Sequence, residues 1–270
     1  MNYQMLVLDL DGTLTNSKKE ITEPTRRALI EIQEAGKKVV LASGRPINGI
    51  VPLAEKLELA RFGGYMLSFN GARITQCSTN QIVYNRILPK EVIGPIYEIV
   101  KTCPGLDIVS YDGDFILSGL SVNEYTKKES AINHMEILSV NDFVARLTFP
   151  VNKLLITGEP AALEELMPAL KRRFRKLLNI YRSEPFFLEI MPQNIDKANS
   201  LQKLLNSIGL TADSMICCGD GFNDISMIEY AGLGVAMENA QPLVKESADY
   251  ITRSNDDDGI LHVINTFLRS

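Results

Sequence analysis

Residues 5–15 read Met-Leu-Val-Leu-Asp-Leu-Asp-Gly-Thr-Leu-Thr, an apolar run closed by two aspartates one residue apart and broken at once by glycine. Met5-Leu6-Val7-Leu8 is too short for a helix and meets the turn signal Asp11-Gly12-Thr13, so a buried strand is predicted. Residues i and i+2 of a strand share a face, which lets Asp9 and Asp11 address one small ligand while Gly12 turns the backbone away. Carboxylates that close repel each other, and a divalent cation such as Mg²⁺ removes the conflict through the oxygen ligands it prefers. An ordinary strand with an Asp-Gly turn would produce the same letters. The rest of the chain has to decide.

Downstream, Thr22-Glu23-Pro24 opens a helix with Ala28, Leu29, Ile32 and Ala35 at helical spacing, and Gly36 stops it. Val39-Val40-Leu41-Ala42 is a second buried strand, so the pair forms a right-handed βαβ unit with parallel strands. Ser43, Gly44, Arg45 and Pro46, at the carboxyl end of the second strand, therefore lie near Asp9. Tyr65–Phe69 gives a third strand, and Asn70-Gly71 closes it at the same edge. Ligands of open parallel sheets bind outside the carboxyl ends of the strands.

From about residue 85 to 190 the pattern changes to helices alternating with close strand pairs, among them Leu106–Val109 and Phe115–Leu117 joined through Asp112-Gly113-Asp114, a hairpin signal. The expectation is an α+β domain over 85–190 inserted into an α/β core over 1–84 and 191–270. That core is Rossmann-like, a mostly parallel sheet with helices on both faces. The core resumes with a helix through Leu201, Leu204 and Leu205 and a strand over Ser214–Cys218, which runs into Gly219-Asp220-Gly221-Phe222-Asn223-Asp224. More acids thus arrive at the edge that holds Asp9, although Asn223 or Asp224 could also simply cap the next helix.

Collected at that edge are acids for a cation (Asp9, Asp11, Asp220) and donors for an anion (Ser43, Gly44 and Lys197). A phosphate dianion bridged to Mg²⁺ fits such an inventory, because phosphoryl transfer depends on positioning and on neutralising the equatorial oxygens.

Composition narrows the field further. The chain has 270 residues with 45% hydrophobic content, enough for two cores. Its 28 basic and 33 acidic residues give a net charge of −5 with no basic cluster evident, so no nucleic-acid partner is expected. No leader-like segment or uncharged run of about 18 residues suggests a membrane, and a cytoplasmic protein is expected, a monomer or weak homo-oligomer acting on a small phosphorylated metabolite. Four cysteines lack zinc-site spacing, and His134 and His262 sit in no suggestive setting, which disfavours a Ser-His-Asp apparatus.

Four segments in order, Asp9-Leu-Asp-Gly-Thr13, Ala42-Ser-Gly-Arg45, Lys197 and Gly219-Asp-Gly-Phe-Asn-Asp224, resemble the haloacid dehalogenase (HAD) superfamily, and within it the Cof-type phosphatases with a large inserted cap. Met227–Ala240 and Ser254–Gly259 resemble the same branch, which includes bacterial sugar phosphatases. The resemblance implies that Asp9 is the nucleophile and Asp11 the general acid and base. It implies that Mg²⁺ is held by Asp9, the backbone carbonyl of Asp11 and Asp220, with Asp224 in support. Leu10, Ser43, Gly44, Lys197 and Asn223 would hold the transferring phosphoryl group. Arg45, Asn70 and Glu189 are candidates for contacting the leaving group; a solvated Arg45 and a hinge salt bridge at Glu189 are the plainer readings. One departure is Lys197-Ala198 where the family usually has glycine after the lysine, a change that a helix first turn should tolerate. A phosphomutase, a silent phosphosugar-binding regulator and a response-regulator receiver remain as alternatives, the last disfavoured because such a domain needs only about half this length.

Overall fold

A computed structural model describes residues 3–269 and divides the chain into two compact units, Met1–Tyr84 with Asp196–Ser270, and Asn85–Ile195. In the first unit the strands are β1 (Met5–Leu8), β2 (Lys38–Ala42), β3 (Tyr65–Ser68), β4 (Arg73–Gln76) and β5 (Ile82–Asn85). The second unit supplies β6 (Asp107–Asp112), β7 (Phe115–Ser118), β8 (Glu136–Ser139), β9 (Leu154–Thr157), β10 (Leu178–Glu184) and β11 (Phe187–Pro192). The chain then returns to the first sheet with β12 (Met215–Gly219), β13 (Leu233–Ala236) and β14 (Tyr250–Ile251).

The larger sheet has the order β14-β13-β12-β1-β2-β3-β4-β5, parallel from β14 to β3 and antiparallel at β4. Both faces are apolar, as a sheet covered on two sides requires. Leu6, Leu8, Val39, Leu41, Ile216 and Cys218 pack with Ala28, Leu29 and Ile32 of the helix Glu23–Glu34, and with Ile260, Val263 and Ile264 of the helix Gly259–Phe267. Met5, Val7, Val40, Ala42, Met215 and Cys217 take the opposite face with Leu201, Leu204 and Leu205 of the helix Lys197–Ile208. Alternation along β1 continues into the residue beyond it. Asp9, in step with Met5 and Val7, falls on the side where the helix bearing Lys197 lies.

The second unit has a sheet of its own, ordered β10-β11-β9-β6-β7-β8. One face, with Ile108, Leu117, Leu154, Ile156, Leu188 and Ile190, packs on Val92 and Ile96 of the helix Lys90–Lys101 and on Leu163 and Leu170 of the helix Pro160–Phe174. The Asp112–Phe115 hairpin forms as its sequence predicts, with Gly113 at φ 56°. β8, which the sequence reading did not single out, pairs parallel to β7, the helix Glu124–Asn133 carrying the chain back.

The second unit runs a few residues past 190, because Met191 and Pro192 still pair with Asn179 and Leu178. The β4–β5 hairpin, β13 and β14 were not anticipated, being short strands at or near the sheet edges. A basic cluster does exist: Lys171, Arg172 and Arg173 end the Pro160–Phe174 helix, followed by exposed Arg175 and Lys176. There the cations complement the carbonyl end of the helix dipole. Among the described residues no helix is long and apolar enough to cross a membrane.

Gly234 of β13 shows how closely the first unit is packed, since a Cβ there would lie 2.3 Å from the carbonyl oxygen of Ile228. Gly234→Ala should destabilise the protein by about 1–3 kcal/mol through overpacking, read as a lower denaturation midpoint in urea. An unchanged midpoint would mean that the helix Ile225–Tyr230 shifts freely.

Candidate active site

The buried ammonium of Lys197 holds the site together. It is fully excluded from solvent and donates to Asp9 Oδ1 at 2.7 Å, Asp224 Oδ1 at 2.6 Å and the Ala42 carbonyl at 2.9 Å, so all three of its donors are used. Burial alone would depress this ammonium; the charges and hydrogen bonds of Asp224 and Asp9 outweigh it and raise its pKa. The three partners come from the ends of β1 and β2 and from the turn after β12. Asp9 extends the β1–β12 ladder by one bond, its N–H donating to the Cys218 carbonyl at 3.0 Å. Lys197 opens its helix behind the N-cap Asp196, whose carboxylate accepts from the Asn199 N–H. Ala198 occupies that first turn without disturbing the helix.

Asp224 is 1% exposed and committed on both oxygens, Oδ1 to Lys197 and Oδ2 to the N–H groups of Asp220 and Gly221 at 3.0 and 2.9 Å. It thus shapes the turn that presents Asp220. The Asp220 carboxylate accepts from the Thr13 hydroxyl at 2.8 Å. A Cβ on Gly12, whose φ is 83°, would lie 2.4 Å from Asp220 Oδ2, so the turn and the close approach both require glycine there.

Asp9, Asp220 and Asp224 each offer an oxygen within 4.8 Å of the others. Against these three carboxylates stands the single ammonium of Lys197, an excess of two negative charges at full ionisation. The strain is visible in their acidities. Burial, and then the charge of Asp224, push the Asp9 carboxyl well above the usual range, and burial pushes Asp220 up to about 6. A hard divalent cation such as Mg²⁺ matches this donor set in charge and in ligand type.

The carboxylate of Asp11 does not join that cluster. It lies beyond the end of β1, in a loop pinned by a bridge to Thr15, and it faces cations instead. Arg45 grips it in a two-pronged bond, Nε to Oδ2 at 2.8 Å and Nη2 to Oδ1 at 2.6 Å, and Lys19 Nζ adds a contact of 2.7 Å. Although burial works the other way, these bonds lower the Asp11 pKa. Asp11 still lies close enough to the cluster for its charge to help raise the pKa of Asp220, although burial is the main cause there. Arg45, read from sequence as a contact for the leaving group or a solvated side chain, is neither free nor exposed here.

Ser43 is buried, with its hydroxyl accepting from the Arg45 N–H at 3.2 Å. Gly44 lies where a Cβ would meet the Asn70 amide at 3.1 Å, and Asn223 Nδ2 donates to Asn70 Oδ1 at 3.1 Å. Gly44, Asn70 and Asn223 are thus drawn together, with Asn70 in the left-handed region at φ 52°. Leu10 is buried, and its carbonyl accepts from the N–H and hydroxyl of Thr15. Glu189 belongs to the second unit, where it is buried between Lys153 Nζ at 3.5 Å and the Tyr181 hydroxyl at 3.0 Å.

Sequence reading missed Thr13 and Lys19 as partners of the acids, along with the side-chain amides of Asn239 and Asn255, which reach the Gly12 and Thr15 carbonyls at 2.8 and 2.9 Å. Both asparagines stand in the segments Met227–Ala240 and Ser254–Gly259 that resemble the family, the one signal that could have flagged them.

The raised pKa of Asp220 has a measurable consequence. A carboxyl whose folded pKa exceeds its unfolded value weakens the fold when ionised, and that penalty fades as pH falls from about 6 towards 4. Metal-free Asp220→Asn should therefore be more stable than the parent at pH 7.5, with an advantage that shrinks by pH 4. Chemical denaturation in chelator at both pH values checks this, and a pH-independent difference would contradict it.

Comparison with known proteins places the chain in a family. The sequence profile of the haloacid dehalogenase-like hydrolases matches residues 6–264. The putative phosphatase YxeH of Bacillus subtilis is 32% identical over 270 residues, 97% of each chain. A haloacid dehalogenase-like hydrolase from Bacteroides thetaiotaomicron is 49% identical with a TM-score of 0.94, covering 98% of this chain and 99% of that one. The HAD subclass IIB sugar phosphatase BT4131 is 25% identical with a TM-score of 0.81, covering 98% of both chains. A profile match over residues 6–264, with relatives aligned over nearly the whole length, makes this protein a member of the haloacid dehalogenase-like hydrolase family.

Proposed function

We propose that the protein is a Mg²⁺-dependent phosphatase that hydrolyses small phosphate monoesters, sugar phosphates above all, through an aspartyl-phosphate. The observation that carries this reading is the Lys197-centred cluster of Asp9, Asp224 and Asp220 at the carboxyl ends of parallel strands, with Asp11 two residues beyond Asp9 in the same loop. The sugar-phosphate class rests on the likeness to the sugar phosphatase BT4131. The four free cysteines suit a reducing cytoplasm.

In this reading Lys197 fixes Asp9 by Oδ1, and Oδ2 attacks phosphorus. The bond from phosphorus to the leaving-group oxygen breaks, and the carboxyl of Asp11 gives that oxygen a proton. Asp11, now a carboxylate, takes a proton from water as the water oxygen attacks the phosphoryl group, and the Asp9 carboxylate departs as inorganic phosphate forms. Mg²⁺, held by Asp9, Asp220 and the Asp11 carbonyl with Asp224 behind, would neutralise charge on the transferring oxygens. The Leu10 N–H, Ser43, Gly44 and Asn223 orient that group, and Lys197, its three donors committed, acts on it through Asp9. Arg45 and Asn70 act on selectivity from the core, and Glu189 from the inserted unit, which corresponds to the family's cap.

Purified protein with Mg²⁺ should release inorganic phosphate from members of a sugar-phosphate panel and from an aryl phosphate, and chelator should stop it. No release from any of them would sink the proposal; isomerised sugar phosphate without release would point to a mutase. Asp9→Asn should abolish turnover. Asp11→Asn should fold and bind metal yet turn over at least about a hundredfold more slowly, whereas near-parental turnover would remove Asp11 from proton transfer.

A further inference from the structure

The turn after β13, Met237–Gln241, plays no part in the proposed phosphoryl chemistry, yet it is bonded to both acid-bearing loops. On one side the Met237 N–H donates to the Gly219 carbonyl and the Gln241 N–H to the Asp220 carbonyl, each at 3.1 Å. On the other, Asn239 Nδ2 donates to the Gly12 carbonyl at 2.8 Å, between Asp11 and Thr13. The Oδ1 of the same side chain accepts from the Asn255 N–H at 3.0 Å, and Asn255 Nδ2 donates to the Thr15 carbonyl at 2.9 Å. Two amides more than 200 residues away in sequence thus hold the two carbonyls that flank the turn of the Asp9–Thr15 loop.

We propose that Asn239, assisted by Asn255, is a positioning residue that sets the spacing between the Asp9–Thr13 loop and the Asp220 turn. The inference rests on the phosphatase reading for its catalytic consequence, but not for its structural content. The loop's main chain is itself a reagent in that reading, since the Leu10 N–H and the Asp11 carbonyl are to meet the phosphoryl group and the cation. Thr13 ties the same two loops, but through the Asp220 side chain, which metal binding engages. Asn239 instead acts on backbone that no ligand displaces. It is exposed and outside the apolar core, so folding places little demand on it. Misplacing reacting groups by about 1 Å can cost a hundredfold in rate, and partners behind metal ligands typically contribute ten- to a hundredfold.

Asn239→Asp is the discriminating change. It keeps the size and the Oδ1 acceptor for Asn255, while the donor facing the Gly12 carbonyl becomes an oxygen that repels it. In full-length protein we expect about tenfold weaker Mg²⁺ binding by calorimetry, and faster amide exchange across residues 10–15. We also expect kcat lowered about ten- to a hundredfold with KM within about threefold, and an essentially unchanged melting temperature. Asn255→Asp should act in the same direction, and the double variant should lose less than the product of the two single effects. Parental Mg²⁺ affinity and loop exchange in Asn239→Asp would overturn the proposal. So would global destabilisation of both single variants, which would make the two asparagines structural. If the parent binds Mg²⁺ and the variants loosen the loop, but no phosphate ester is turned over, the brace stands and the phosphatase reading falls.

Discussion

One ammonium, sealed from water and surrounded by carboxylates, is the constraint on which the rest of this structure depends. A buried Lys197 is tolerable only while Asp9, Asp224 and the Ala42 carbonyl stay within hydrogen-bond reach. Those partners come from the first strand, the second strand and the turn after β12, so the charge requirement and the sheet topology demand each other. Parallel pairing of β12, β1 and β2 brings their carboxyl ends to one rim, and the helix carrying Lys197 packs its Leu201, Leu204 and Leu205 against the face from which Asp9 projects. Apolar burial places the helix; charge fixes its first residue.

This part of the architecture was legible before any coordinates. Short β-branched and leucine-rich runs bounded by glycine and aspartate announce buried parallel strands, and parallel strands have their ends in common, so Asp9, Ser43 and Asp220 had to converge. What stayed hidden is the pairing of long side chains across loops. Nothing in the spacing of Asp11 and Arg45 says that a guanidinium will reach back over the rim to take both oxygens of the carboxylate. The asparagine amides on Gly12 and Thr15 depend on where two distant turns happen to pass. Strands β4 and β13, no shorter than β1, escaped because they lack its unbroken apolar run, β4 carrying Arg73, Thr75 and Gln76 and β13 a glycine, and β14 is only two residues long.

The inserted unit obeys a different logic. It closes its own apolar layer between one sheet and two helices, and inside its sheet it buries Asp107, which accepts from the Ile108 and Leu120 N–H groups and from the Ser118 and Thr126 hydroxyls. Another polar group joins Glu189 and Tyr181, on adjacent strands, to Lys153 just before β9. A domain with its own core can exchange such side chains without disturbing Lys197 and its carboxylates.

In the ligand-free protein the electrostatics run opposite to the proposed reaction. Asp9, which has to be an anion to attack, is pushed up by burial and by Asp224; Asp11, which has to carry a proton first, is pulled down by Arg45 and Lys19. Each mismatch is of the kind that the reactants would remove. A divalent cation among Asp9, Asp220 and Asp224 favours the ionised nucleophile, because opposite charge at short range lowers a carboxyl pKa. In the proposed reaction a substrate anion reaching Arg45 would compete with Asp11 for that guanidinium, and a carboxylate that loses it beside a new anion is driven towards its protonated form. Neither protonation state need be stored in the resting site. In the proposed reaction, the charges carried in by metal and substrate would set both.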